Sequence, residues 1–225
     1  MRKLYLSSYM IGDHADRLLS LVGGTGGRMA VITNALDYIP IEDQLAHART
    51  QFDPVAYFSN NGFDPSLVDL RVYFGRKEAL ASMLARHKVV WALGGNAFLL
   101  RRAMKLSGFD ATINGLLDEG LTYSGWSAGA CVAGDSLRAI ALMDDPHQMA
   151  PGYPDTDPVW EGLDLVPFTV IPHHDSDHPE QGAAQRAVSW AEDNQVPYKA
   201  LRDGEVILSS DGSVELLSKR STIPK

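Results

Sequence analysis

Two strand-like runs constrain the fold of this chain more than any other feature of its sequence. They are RMAVITNA at residues 28–35, which is rich in β-branched residues, and VVWALGG at residues 89–95, which is apolar without interruption. Continuous apolar strands are typical of parallel sheets that helices cover on both faces. Helical patterns flank the second run, KEALASMLARH at residues 77–87 and AFLLRRAMKLSG at residues 97–108. This alternation predicts an α/β fold with a mostly parallel central sheet flanked by helices.

Further segments continue the alternation of strands and helices. Strand patterns occupy residues 3–8, 67–74, 121–125 and 163–174, and helical patterns occupy residues 14–22 and 180–194. Near the C-terminus, two apolar runs flank Ser-Asp-Gly, which predicts a C-terminal β-hairpin. No repeat or linker divides the chain. Residues 1–225 are therefore predicted to form a single α/β domain.

Composition and charge exclude several classes of function. The 225 residues carry a net charge of −8, whereas binding of nucleic-acid phosphates needs a basic excess, so no nucleic-acid partner is expected. No apolar run reaches the roughly 18 residues of a membrane span, so no membrane partner is expected either. The single cysteine, Cys131, excludes an intrachain disulfide and a thiolate zinc cluster. We expect a cytoplasmic protein, and the sequence leaves its oligomeric state open, a homodimer included.

The stretch YSGWSAGA at residues 123–130 carries the strongest chemical signal. Gly125, Ser127 and Gly129 match the G-x-S-x-G pattern, in which a serine sits on a sharp turn between a strand and a helix. A strand-like segment precedes the serine, and small helix-compatible residues follow it. An ordinary tight turn is the alternative for so short a motif. The context favours Ser127 as a nucleophile.

A serine nucleophile needs a base, and the base needs an acid that orients it. His173 follows Pro172 at the end of a predicted strand, on the sheet edge that also carries Ser127, and is the predicted base. Asp203 in ALRDGEV is the predicted acid, with Glu205 as its rival two residues later. In this chain the histidine precedes the acid, the reverse of the order in α/β-hydrolases.

Two backbone amides are candidates for an oxyanion hole. Ala128 follows the nucleophile, and Gly95 lies where an apolar strand gives way to a helix whose first amides are unpaired. Asn96 and His174 are predicted to contact the substrate. The stretch HHDSDH at residues 173–178 also holds zinc-ligand residue types, but a metal site usually draws on more than one segment, so no metal is predicted.

Three motifs in this order, LGGNAFLL, YSGWSAGA and a strand that ends in IPHH, resemble those of peptidase family S51, the dipeptidase E group. The resemblance extends from the first strand to the final hairpin. It implies a fold like that of class I glutamine amidotransferases, a serine peptidase that acts on short peptides, and no metal or organic cofactor. Carried over by position, it implies Ser127 as nucleophile, His173 as base, Asp203 as acid and Gly95 in the oxyanion hole.

One position departs from the family pattern. Aspartyl dipeptidases carry an arginine near the start of the helix after the histidine loop, and it binds the aspartate side chain of the substrate. Ala183 stands at that place here. Because a hydrogen bond to a charged group contributes about 1.5–3 kcal/mol, strict Asp-X specificity is not predicted. Arg101, Arg102 and the histidines at residues 174–178 are candidates to replace the missing cation.

Two other functions stay open at the level of sequence. The same machinery serves an esterase or amidase for a small acyl substrate, since ester and amide cleavage share the acyl-enzyme step. A non-catalytic relative that keeps the fold for ligand binding is the second alternative. The sequence also leaves open whether the proline-rich loop at residues 144–160 closes over the site.

Overall fold

The computed structural model describes residues 2–50, 52–210 and 212–220, and it gives only the backbone of residues 45 and 47–49. Seven described strands form one sheet in the order β3-β2-β4-β5-β1-β8-β9. The first five strands of this order are parallel, and the last two are antiparallel. The strands are β1 Lys3–Ser7, β2 Gly27–Ile32, β3 Phe63–Val68, β4 Val89–Ala92, β5 Thr122–Trp126, β8 Val206–Ser210 and β9 Ser213–Leu217.

A second, two-stranded parallel sheet carries the histidine segment. It pairs β6, Thr169–Ile171, with β7, Tyr198–Ala200. The described helices are α1 Ala15–Val22, α2 Ile41–Thr50, α3 Pro54–Asn60, α4 Lys77–Leu84, α5 Ala97–Ser107, α6 Phe109–Asp118, α7 Ala128–Cys131 and α8 Gln181–Asp193. None of them combines the length and the apolarity that crossing a bilayer requires.

Apolar side chains fill both faces of the central sheet. On one face, Val90 and Ala92 of β4 pack in a large cluster with helices α4 to α8. On the other face, Val89 and Trp91 pack with side chains of α1 and α3. All four of these strand residues are fully buried, which explains why β4 shows no alternation in the sequence. The predicted α/β class, with a mostly parallel sheet and a C-terminal antiparallel pair of strands, is confirmed.

The strand prediction at residues 67–74 is wrong. Strand β3 runs from Phe63 to Val68, and residues Leu70–Tyr73 form a turn of 3₁₀ helix. Asp69 ends the strand because its side chain accepts a hydrogen bond from the amide of Arg71. Pro65 hides β3 in the sequence, since proline fits only edge strands such as this one.

Two other predicted elements differ in detail. The strand predicted at residues 163–174 is reduced to the three residues of β6. The hairpin strands lie where predicted, as β8 and β9, while Asp211 in the turn between them lies outside the described residues. The other predicted segments match β1, β2, β4, β5, α1, α4, α5 and α8 to within a few residues. The sequence analysis predicted no segment for α2, α3, α6 or β7.

The loop at residues 144–160 packs against helix α5 and lines no part of the large cavity described below. The guanidinium of Arg102 donates hydrogen bonds to the carbonyl oxygens of Pro146, Gln148 and Asp155 at 3.1–3.3 Å. These bonds tie the loop to the helix. The position of the loop therefore gives no support to a lid.

Asp144 caps the start of α5. Its Oδ2 accepts a hydrogen bond from the amide of Ala97 at 2.8 Å. Burial raises the pKa of Asp144 to about 7, against the opposing effect of the Ala97 hydrogen bond, and the nearby charge of Glu180 adds to the rise. The fold therefore holds a carboxyl group that is more readily ionised in the unfolded chain than in the folded one.

Substitution Asp144→Asn keeps an oxygen for the Ala97 amide and removes the buried charge. Because the folded-state pKa lies above the unfolded value, the wild type loses stability as the pH rises from about 4 towards the folded pKa. The variant lacks that loss. Its free energy of unfolding should rise relative to wild type by on the order of 2 kcal/mol between pH 5 and pH 8, as measured by urea unfolding. A difference that does not change with pH would contradict this prediction.

Candidate active site

Ser127 lies in a strained turn between β5 and α7, at the carboxyl edge of the sheet. Its backbone angles are φ 47° and ψ −116°, a region that residues other than glycine seldom occupy. The amide of Ser127 donates to the carbonyl of Ser8 at 3.1 Å, and the carbonyl of Ser127 accepts from Cys131 at 2.9 Å. These bonds fix the turn from both sides. The G-x-S-x-G segment thus has the strand, turn and helix context of a nucleophile elbow.

Close packing explains the two glycines of the motif. A Cβ atom on Gly125 would lie 2.7 Å from the carbonyl carbon of Gly129. A Cβ atom on Gly129 would collide with the backbone of Ala92 in β4. Side chains at these two positions would therefore push α7 away from the sheet and distort the turn that carries Ser127.

His173 follows β6 and turns back towards the sheet edge. Its backbone adopts a positive φ of 61°, and its side chain is almost completely buried. The imidazole Nδ1 lies 2.9 Å from Oδ1 of Asp203. Ser127 and His173 line the same cavity. The structure therefore brings the predicted nucleophile, base and acid together at one edge of the sheet.

The electrostatics favour Asp203 over its rival Glu205. Burial alone would raise the pKa of Asp203, but hydrogen bonds from His173 and Ser8 outweigh burial, and the pKa lies below its ordinary value. The carboxylate of Glu205 instead accepts a hydrogen bond from the amide of Arg202 at 2.9 Å, within its own turn. Only Asp203 of these two acids contacts the imidazole.

Ser8, at the end of β1, is a site residue that the sequence analysis missed. Its hydroxyl donates to Oδ1 of Asp203 at 2.6 Å and accepts from the amide of His173 at 2.8 Å. The hydroxyl of Ser8 thus holds both His173 and Asp203. Local sequence gives no signal for this role, because Ser8 lies 165 and 195 positions away from the two residues it contacts.

Two aromatic rings pack against the imidazole of His173. The ring of His178 stacks on it with centroids 3.7 Å apart and an angle of 7° between planes. The ring of Tyr9 meets it edge-on at 6.2 Å. Burial lowers the pKa of His178, and His173 adds to this effect. Together the rings restrict the orientation of the imidazole.

The candidate oxyanion-hole residues follow two adjacent strands, β4 and β5. Gly95 follows β4 with a φ of 132°, and a Cβ atom there would lie 2.5 Å from the carbonyl oxygen of Ala35. Ala128 begins α7 directly after Ser127. Among residues 2–50, 52–210 and 212–220, neither amide has a hydrogen-bond acceptor. Gly95 lines the cavity, and Ala128 directly follows Ser127, which also lines it, so these two amides stay the candidates for binding a substrate oxygen.

The structure gives no support to the prediction that Asn96 and His174 contact the substrate, since neither lines the cavity. Asn96 caps helix α5, where its Oδ1 accepts from the amide of Leu99 at 2.8 Å and its side chain is turned away from the cavity lining. His174 extends the pairing of the small sheet through its amide, which donates to the carbonyl of Leu201. The turn at His173 separates the two histidines, and His178 lines the cavity instead of His174.

The cavity has a volume of about 620 Å³ and extends from Ser127 along the carboxyl ends of β4, β2 and β3. Arg71 lies on the wall formed beyond β3, and its guanidinium pairs with Asp69 at 2.8 Å and with Asp37 at 3.4 Å. Burial raises the pKa of Asp37, although Tyr153 donates a hydrogen bond to it at 2.6 Å. This wall is therefore built from a network of paired charges.

None of the candidate arginines replaces the missing family cation. Arg101 is buried and forms a two-bond ion pair with Asp110. Arg102 holds the loop at residues 144–160, as described above. Arg186 is exposed, and neither it nor Ala183 lines the cavity. Among the described residues, Arg71 is the one arginine or lysine in the cavity wall.

One described cluster has the composition of a metal site. Ligand atoms of His173, His178 and Glu180 lie within 4.8 Å of one another. The lone pairs of imidazole nitrogens lie in the ring planes, and the two rings are nearly parallel. Their nitrogens therefore do not converge on one tetrahedral position, which zinc requires. The cluster fits a metal poorly.

Comparisons with known proteins agree with this geometry. The family described as Peptidase family S51 matches residues 49–217. An uncharacterized peptidase of Pasteurella multocida strain Pm70 is 25% identical over 190 residues, which cover 84% of this chain and 84% of the relative. A peptidase E of Streptomyces coelicolor is 29% identical over 204 residues, which cover 83% of this chain and 78% of the relative.

A solved structure shares the fold. A candidate peptidase E protein from Listeria monocytogenes EGD-e superposes with a TM-score of 0.75 at 20% identity, covering 98% of this chain and 100% of its own. At this identity the likeness shows the fold alone, whereas the family match spans most of the chain. The chain therefore belongs to peptidase family S51 and is a serine peptidase.

Proposed function

We propose that Ser127, His173 and Asp203 form the catalytic triad of this peptidase. The observation that carries the proposal is the 2.9 Å contact between Nδ1 of His173 and Oδ1 of Asp203, on an imidazole that shares a cavity with Ser127. A proton on Nδ1 that is directed to Asp203 leaves Nε2 as the basic nitrogen. This is the tautomer that can accept the proton of a serine hydroxyl.

The proposed reaction passes through an acyl-enzyme. Oγ of Ser127 attacks the carbonyl carbon of the scissile peptide bond as Nε2 of His173 takes the hydroxyl proton. The amides of Gly95 and Ala128 stabilise the negative oxygen of the tetrahedral intermediate. His173 then gives its proton to the leaving amine, and the peptide C–N bond breaks. Water, deprotonated by His173, hydrolyses the ester and restores Ser127.

The charges of the site support the role of Asp203. Its low pKa keeps the carboxylate ionised at neutral pH, so it stabilises the imidazolium that forms during each proton transfer. All of these protons move between the substrate, water and side chains of this chain, and we propose no cofactor.

The cavity supports a short peptide as substrate. A volume of about 620 Å³ lies in the range of sites that enclose small ligands. We do not propose strict Asp-X specificity, because Ala183 supplies no cation and Arg71 is already paired with Asp69 and Asp37. A cytoplasmic location remains a prediction from the sequence, which leaves the oligomeric state open.

The first test is hydrolysis of a panel of unblocked dipeptides and aminoacyl p-nitroanilides by wild type and by Ser127→Ala. Wild type should cleave several members, and the variant should lose activity by a factor on the order of 10⁴ or more, since the nucleophile is absent. Activity that survives in Ser127→Ala would contradict the assignment of the nucleophile.

Asp203→Asn and Glu205→Gln form a matched pair that tests the choice of acid. The asparagine places an amide beside Nδ1 and favours the wrong imidazole tautomer, so kcat should fall by a factor on the order of 10³–10⁴. Glu205→Gln should change kcat by less than about threefold, since that side chain serves its own turn. The opposite ranking of the two variants would assign the role to Glu205.

Ser8→Ala tests the hydroxyl that holds His173 and Asp203. The variant leaves the amide of His173 without its acceptor and removes one donor from Asp203, so we expect kcat to fall about ten- to a hundredfold, with KM changed less. Ser7→Ala is the matched control, because the hydroxyl of Ser7 bonds to the carbonyl of Met10 and contacts neither residue. Equal losses in both variants would indicate damage to β1 instead of a positioning role.

A further inference from the structure

Glu180 places beside the proposed base a carboxylate that accepts no hydrogen bond from the described residues. It precedes helix α8, and its Oε2 lies 3.8 Å from Nε2 of His173. In the described part of the chain, no group donates a hydrogen bond to this carboxylate, whose side chain is 45% exposed and lines the cavity. The proposed triad does not account for a carboxylate at this place, because Asp203 already serves as its acid.

Among the described carboxyl groups near His173, Glu180 is the one that can meet a cation in the cavity. Asp203 is paired with His173, and Asp144 caps helix α5, where its pKa of about 7 leaves it only partly ionised at neutral pH. The one arginine of the described cavity wall, Arg71, lies beyond β3, three strands from β5 in the sheet order. Neighbouring strands are about 4.8 Å apart, so roughly 14 Å separates Arg71 from the end that holds Ser127. The end near Ser127 thus favours a cation.

A substrate with a free amino terminus would place a cation close to Ser127 and Glu180. The reacting serine oxygen must approach the scissile carbonyl carbon to about 3 Å. In the first residue of a peptide, the α-amino nitrogen is only about 2.5 Å from that carbon. The amino group of a bound substrate therefore lies within a few ångströms of Ser127 and of Nε2 of the base, where Glu180 is located.

We propose that Glu180 binds the free α-ammonium group of the substrate's first residue and so restricts cleavage to the bond after that residue. This inference rests on the proposed function, because it places the scissile carbonyl at Ser127. Glu180 is then a specificity-determining residue. It offers two carboxylate oxygens to an ammonium group that has three donors, and a blocked amino terminus has neither the charge nor these donors.

The test compares binding of Ala-Ala and N-acetyl-Ala-Ala at pH 7 to Ser127→Ala, which does not consume either ligand. We expect calorimetry to give at least about tenfold tighter binding of the unblocked peptide. Adding Glu180→Gln to Ser127→Ala should remove most of that preference, whereas adding Glu180→Asp should keep part of it. Equal binding of the two peptides by Ser127→Ala would overturn the inference.

Kinetics on the otherwise unchanged enzyme supply a second readout. The ratio of kcat/KM for alanine p-nitroanilide to that for its N-acetyl form should fall at least about tenfold in Glu180→Gln. Asp177→Asn is the matched control: this carboxylate lies in the same loop, is exposed and lies outside the cavity lining, so the ratio should not change. If kcat/KM in Glu180→Gln falls equally on both substrates, the carboxylate acts through His173 and not on the amino group of the substrate, which would overturn the inference.

The two proposals fail in different ways. The proposed function fails if wild type hydrolyses no peptide or if Ser127→Ala remains active. The inference about Glu180 fails if unblocked and acetylated peptides bind Ser127→Ala alike, whatever the activity of the wild type.

Discussion

The close approach of β5 and α7 to β4 is the constraint on which the site depends. Ser127 can occupy its strained conformation only because Gly125 and Gly129 let the helix pack directly on the sheet. A non-glycine residue at a positive φ of this kind costs on the order of 1–3 kcal/mol. Backbone bonds to Ser8 and Cys131 hold it in place. This turn conformation places Ser127 in the lining of the cavity.

The imidazole is held by contacts from separate parts of the chain. His173 also has a positive φ, so its position comes at a local cost that long-range contacts offset. Asp203 fixes its Nδ1, Ser8 holds its amide, and the ring of His178 covers one face. The small sheet of β6 and β7 delivers His173 to the edge where the central sheet presents Ser127. Preorganisation here is the sum of these contacts.

The sequence predicts those features that are encoded locally. Strand β4 was predictable because burial on both faces leaves a continuous apolar run, and Ser127 because its glycines are adjacent in sequence. Strand β3 was misplaced because an edge strand with a proline shows little apolar pattern. Ser8 and Glu180 were missed for a different reason. Their roles arise from contacts between distant segments, and no local pattern reports such contacts.

The proposed catalytic residues and much of the far cavity wall come from different parts of the chain. Ser127 and its proposed partners lie within residues 49–217, the range that matches the family. Much of the opposite cavity wall comes from residues 33–44, outside that range, where Asp37 joins the charge network. The chemistry can therefore be inferred from family membership, whereas the preferred peptide must be inferred from the charges and shape of this chain's own cavity.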